Sequence, residues 1–150
     1  MRLVVQRVKQ SSVTISGEQI SAIGPGLMIL IGIEDADDEI DVDWLCRKVV
    51  NMRIFPDEND VMNRSILEHG GEILVVSQFT LFASTRKGNR PSYIRASRPE
   101  HAVPLYELFC STLSEMTKST VKTGVFGADM QVELINDGPV TIIIDSKLKE

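Results

Sequence analysis

Leu27–Ile33 (LMILIGI) follows the chain break Gly24-Pro25-Gly26 and runs into an acidic stretch. An aliphatic run this continuous reads as a strand covered on both faces. It is far too short to cross a bilayer. Glu72–Phe79 (EILVVSQF) is a second strand of the same kind, preceded by the turn Gly70-Gly71. The other strand signals are weaker. Residues 2–10 alternate, as do Val13 and Ile15 with their neighbours. Gly17-Glu18 turns into a short partner over 19–23, Val121 starts a short strand, and Met130–Ile135 and Val140–Ile144 flank Asn136-Asp137-Gly138-Pro139.

Two helices are expected. Asp37 or Asp38 caps the first, which runs to about residue 52 with Leu45, Val49 and Met52 on its inner face. The acids from Glu34 to Asp41 then serve as capping groups and a solvated face. Pro99-Glu100 opens the second, over about 101–117, with Val103, Leu105, Leu108, Phe109, Leu113 and Met116 inward. Seven or eight strands with two long helices give an α+β fold: a mainly antiparallel curved sheet or open barrel covered by the helices. The 150 residues, 43% hydrophobic, make one domain, 1–150. Residues 1–9 read as a strand rather than a leader, so the expectation is a soluble cytoplasmic protein with no membrane segment.

Familiar catalytic patterns are missing. There is no P-loop, no GxGxxG after a strand, no HExxH and no GxSxG. Cys46 and Cys110 lie far apart without a CxxC, which speaks for reduced thiols rather than zinc. His69 precedes a Gly-Gly turn and His101 lies in the first turn of the second helix, so neither sits in a segment built for a triad. No metal and no cofactor are expected.

Charge is distributed unevenly. Between Ser84 and Pro99 lie Arg86, Lys87, Arg90, Arg95 and Arg98 with no acid among them. This segment carries +5, leaving −10 for the rest of a chain whose net charge is −5. It is either a phosphate-binding surface or a solvated basic loop.

Two hexapeptides stand out. Ser77-Gln78-Phe79-Thr80-Leu81-Phe82 ends an oily strand in polar groups, which fits either a cleft that holds a carbonyl or ribose oxygen, or an edge whose hydroxyls bond backbone. Asn136-Asp137-Gly138-Pro139-Val140-Thr141 is accounted for as a turn. Together, SQFTLF and NDGPVT closely resemble the two signature motifs of D-aminoacyl-tRNA deacylases. MRLVVQRV at 1–8, TRKGNRP at 85–91 and GVFGADM at 124–130 resemble family segments in register, so the likeness spans essentially the whole chain. One departure is Phe82, where many members carry Tyr.

The resemblance implies a homodimer that hydrolyses the ester of a D-amino acid, or of glycine, on tRNA. It implies that Gly138-Pro139 is a cis pair reaching into the partner's site, a main-chain wall that leaves no room for an L side chain. Ser77, Gln78, Phe79 and Thr80 correspond to the pocket around the terminal adenosine and ester, with the Phe79 N–H as oxyanion donor. Thr80 has no visible general base, so water attack assisted by the ribose 2′-OH is preferred to a threonine nucleophile. Phe126 is a candidate adenine-stacking residue or a core aromatic. Arg7 is a support for the Gly-Pro loop or a surface arginine, and Asn136 shares that supporting role. Arg86, Lys87 and Arg90 become candidates for the acceptor-stem phosphates. Competing readings are an RNA-binding module without activity, an editing domain of a larger synthetase, and a metal-dependent esterase.

Overall fold

A computed structural model describes residues 1–149. The organising element is β1 (Arg2–Ile15), a single strand where the sequence suggests two. It pairs antiparallel with β2 (Glu18–Ile23), β3 (Gly26–Gly32) and β8 (Gln131–Asp145). Tertiary pairing carries the strand through the polar Gln10-Ser11-Ser12 interval. Ser11 is buried there and donates its hydroxyl to the Glu133 carbonyl at 2.8 Å.

The two oily strands lie side by side. β3 pairs parallel with β6 (Glu72–Ser77), and β6 pairs parallel with the short β7 (Lys122–Thr123). The sheet is therefore mixed, and its parallel part includes the two most buried strands, β3 and β6. Leu27, Ile29, Leu74 and Val75 are wholly buried. The strand order β2-β1-β3-β6-β7 curls until its ends meet, and the Ser21 hydroxyl of β2 donates to the Thr123 carbonyl of β7 at 2.9 Å. The result is a nearly closed barrel-like sheet. A small ribbon, β4 (Phe55–Pro56) with β5 (Met62–Arg64), and a single helical turn, α2 (Ile66–His69), lie in the chain ahead of β6.

Helix α1 (Glu39–Asn51) is capped by Asp38, whose carboxylate accepts from the Ile40 and Asp41 amides, while Asp41 accepts from the Asp38 amide. Leu45 and Val49 are fully buried as expected, and Met52 is half-buried beyond the helix end. Helix α3 (Pro99–Thr117) turns slightly further than its pattern suggests. Ala102, Leu105, Tyr106, Phe109 and Leu113 are buried, while Val103, Leu108 and Met116 are half-buried.

The acidic run is not wholly a solvated face. Asp37 and Asp41 are buried. Asp37 pairs with the Met1 ammonium, which also donates to the Ser146 hydroxyl, and Asp41 pairs with Lys147 at 2.6 Å. The cysteines are free, and burial pushes both thiols up to about 12. His69 stacks on Phe55, and His101 Nε2 lies at hydrogen-bond distance, 3.0 Å, from the Asp37 carbonyl. No helix among the described residues is long and apolar enough to cross a membrane.

Candidate active site

The site is assembled where β6 runs out of partner. The last rung is the Gln78 amide donating to the Ile31 carbonyl at 2.7 Å. Beyond it the chain tightens into a 3-10 turn over Phe79–Phe82, so most of SQFTLF is a turn rather than the strand end suggested by sequence. Gly32 permits this closure. A Cβ at that position would sit 3.0 Å from Leu81 Cβ and 3.1 Å from the Gln78 carbonyl oxygen. The turn is held from below by Arg2, whose Nη1 donates to the Leu81 carbonyl at 2.7 Å and whose guanidinium lies over the buried Phe82 ring. Asp145 fixes that guanidinium through Nε and Nη2. Burial works against the Asp145 charge, but the Lys147 amide and Arg2 hold the carboxyl below the usual carboxylate range.

The first amides of a helical turn have no acceptor within it. Here they belong to Phe79 and Thr80, and neither has a protein acceptor among the described residues. Phe79 lines a cavity of about 570 Å³, with Ser77 and Gln78 beside it and Phe126–Met130 also in its wall. Tyr93, Arg98 and Pro99 complete its rim. Phe126 is half-buried, edge-on to Tyr106 at 5.8 Å, so one part of its ring belongs to the core and another to the cavity. The Thr80 side chain borders a neighbouring trough of about 1010 Å³ instead. Gln78, which lines the cavity, donates from Nε2 to Thr80 Oγ1 at 2.5 Å.

Gly138-Pro139 lies elsewhere, and here the sequence expectation needs correcting. NDGP does not turn between two strands. β8 continues past it along β1, where Gln6 pairs with Thr141 and Val8 with Asn136. Two steps in β1 oppose five in β8, so three extra residues are pushed out as a wide bulge. The Gly138-Pro139 bond is cis, and both residues are exposed. Arg7 and Asn136 brace the bulge. Arg7 Nε donates to the Asp137 carbonyl at 3.1 Å and Arg7 Nη1 to the Ile54 carbonyl at 2.5 Å. Asn136 Oδ1 accepts from the Val140 amide at 2.8 Å, and its Nδ2 donates to the Val140 carbonyl and to Thr141 Oγ1. Neither Gly138 nor Pro139 lines this chain's own cavity.

Arg86, Lys87 and Arg90 sit on an exposed hairpin closed by paired hydrogen bonds between Ser84 and Ser92, and none has an ion-pair partner among the described residues. Arg95, a member of the same basic stretch, is instead paired with Glu34 at 3.0 Å. The cavity thus gathers Ser77, Gln78, Phe79 and Phe126, with Thr80 next door, while the bulge and the basic hairpin stand apart. Sequence reasoning missed Gly32, Arg2 and Tyr93. Only Tyr93, inside the basic stretch between Arg90 and Arg95, left a signal there.

A family model described as D-Tyr-tRNA(Tyr) deacylase matches residues 4–145. The chain belongs to the D-Tyr-tRNA(Tyr) deacylase family. This makes it an ester hydrolase of the D-aminoacyl-tRNA deacylase type. A D-aminoacyl-tRNA deacylase of Bacteroides thetaiotaomicron is 65% identical over 150 residues, covering all of both chains. One of Flavobacterium johnsoniae is 57% identical over the same span. Among solved structures, a chain named c-Myc DNA Unwinding Element Binding Protein superposes with a TM-score of 0.91 at 44% identity, covering 97% of this chain and 98% of that one. A probable eukaryotic D-amino acid tRNA deacylase shares the deacylase fold, with a TM-score of 0.81 at 18% identity and coverage of 95% and 97%.

Proposed function

We propose that this cytoplasmic deacylase works as a homodimer that releases D-amino acids, and glycine, from tRNA. Its cavity takes the aminoacylated terminal adenosine, with the adenine against Phe126. The observation that carries this reading is the acceptor-free amide of Phe79, a residue that lines the cavity. Water attacks the ester carbonyl, and the ribose 2′-OH relays its proton. The tetrahedral oxyanion is held by the Phe79 N–H. The C–O bond then breaks, the ribose oxygen leaves as a hydroxyl, and free amino acid and tRNA result. One such donor is worth about 10²–10³ in rate. Ser77, Gln78 and Thr80 position the ester and ribose. An aminoacyl ester is labile enough that positioning and oxyanion stabilisation suffice without a metal.

Chirality is read by Gly138-Pro139 of the partner subunit. The support is geometric: the bulge is exposed, braced by Arg7 and Asn136, and absent from its own cavity. A backbone wall rejects an L side chain and passes glycine. The trough beside Thr80, with Ile143 70% and Leu148 66% exposed, offers an apolar face for self-association. The basic hairpin then meets acceptor-stem phosphates.

The test is deacylation of matched D-tyrosyl-, L-tyrosyl- and glycyl-tRNA, with and without chelator. Loss of the D and glycyl esters in chelator, with the L ester intact, is the expected result. Hydrolysis of the L ester at a similar rate would overturn the gate, and arrest by chelator would overturn the metal-free chemistry.

A further inference from the structure

Two aromatic rings stand at the mouth of the cavity with much of their surface in water: Phe79 is 56% exposed and Tyr93 41%. They meet edge-to-face, with ring centroids 5.1 Å apart. Each therefore steadies the other, and both keep ring surface open to solvent. The deeper aromatic of the same cavity, Phe126, is half-buried against Tyr106. The cavity thus carries aromatic surface at two depths.

A volume of about 570 Å³ suits one drug-sized ligand. An aminoacylated nucleoside fills such a space, so the nucleotide before it in the strand must lie outside, at the mouth. Arg98 is on the same rim, exposed and without an ion-pair partner among the described residues, as are Arg86, Lys87 and Arg90 on the adjoining hairpin. Exposed rings interleaved with unpaired cations are the combination that holds single-stranded nucleic acid, the rings by stacking on bases and the cations by meeting phosphates.

We propose that Tyr93, steadied by Phe79, is a second base-stacking platform that grips the cytidine preceding the terminal adenosine, with Arg98 facing the phosphodiester between them. This rests on the reading of the cavity as the site of the terminal aminoacyl-adenosine. The platform is sequence-tolerant, because every base has a π-face, and so it serves all tRNAs that share the 3′ end. It turns the penultimate nucleotide into binding energy without touching the ester.

The experiment compares two small substrates, D-tyrosyl-adenosine and the D-tyrosyl ester of the dinucleotide CpA, in wild type and in variants. The quantity read is the ratio of their KM values. Wild type should bind the dinucleotide ester more tightly by about 5- to 150-fold, the range for one stacked base. Tyr93→Ala and Tyr93→Leu should bring the ratio towards one, while Tyr93→Phe and Tyr93→Trp should keep it. Tyr93→Leu retains apolar contact with Phe79, so a lost ratio in that variant cannot come from a collapsed rim. A wild-type ratio of one, or a ratio unchanged in Tyr93→Ala and Tyr93→Leu, would overturn the proposal. Failure of the cavity reading has a different signature: neither small ester would be hydrolysed by wild type while full-length D-tyrosyl-tRNA is.

Discussion

Gly138→Ala tests the backbone gate most directly. Gly138 has φ +131°, a conformation that L side chains rarely adopt. A Cβ there would lie 2.7 Å from Val140 Cγ2, 3.0 Å from the Val140 amide nitrogen and 3.2 Å from Arg7 Nη2. The Val140 side chain can rotate away. The amide nitrogen cannot, because it is bonded to Asn136 Oδ1 at 2.8 Å. The bulge must therefore shift by a few tenths of an ångström and leave its backbone well. Such a conformation costs a non-glycine residue about 1–3 kcal/mol, and the crowding adds to it. A melting point lower by roughly 2–12 °C follows for a chain of this size. The larger effect falls on selectivity. A wall that works by steric exclusion loses discrimination when displaced, and small misplacements near a reacting centre are costly in rate. The ratio of kcat/KM for D-tyrosyl- over L-tyrosyl-tRNA should fall at least about tenfold, read at a temperature where the variant is folded. A Gly138→Ala variant that keeps both its melting point and its D/L ratio would refute the gate and the argument from φ together.

Thr80→Ala should lower kcat by no more than about tenfold, the value of one neutral hydrogen bond. Single-turnover rates with D-tyrosyl-tRNA give the answer, and a loss of several orders of magnitude would make Thr80 the nucleophile. Arg86→Glu with Lys87→Glu should raise KM for tRNA and flatten its dependence on salt by about one logarithmic unit of slope per lost phosphate contact. An unchanged salt slope would detach the hairpin from tRNA. Burial works against ionisation of Asp41, yet Lys147 and the Asp38 amide hold its carboxyl down at about 2, against an ordinary value of 3.8. A carboxylate depressed on folding stabilises above its unfolded value, and the contribution is lost as pH falls through the folded one. Urea midpoints should therefore drop between about pH 4 and pH 2, with about 1–2 kcal/mol lost after allowance for solvent screening. Asp41→Asn should be less stable at neutral pH and should lack that part of the acid transition.

The elements that depend on local pattern were legible in the chain itself. The oily strands β3 and β6, an acidic cap at Asp37 or Asp38, the apolar face of α1 and the existence of α3 follow from periodicity and end signals, because those properties act over a few residues. The polar end of β6 and the basic stretch also mark themselves as unusual by residue type alone. Tertiary structure decided what local signals could not weigh. Asn136-Asp137-Gly138-Pro139 has turn composition, yet the long ladder with β1 carries β8 past it and converts a hairpin signal into a braced bulge. SQFTLF reads as strand until β3 ends and Gly32 lets the chain close into a 3-10 turn. Asp37 and Asp41 read as solvated until Met1 and Lys147 arrive from opposite ends of the chain. Arg2 lies 79 positions from the Leu81 carbonyl that it holds, and no spacing rule connects residues so far apart. Local free energies choose the elements. The contacts between distant elements choose where the acceptor-free amides, the bulge and the aromatic rim come to stand, and the proposed site is made of those contacts.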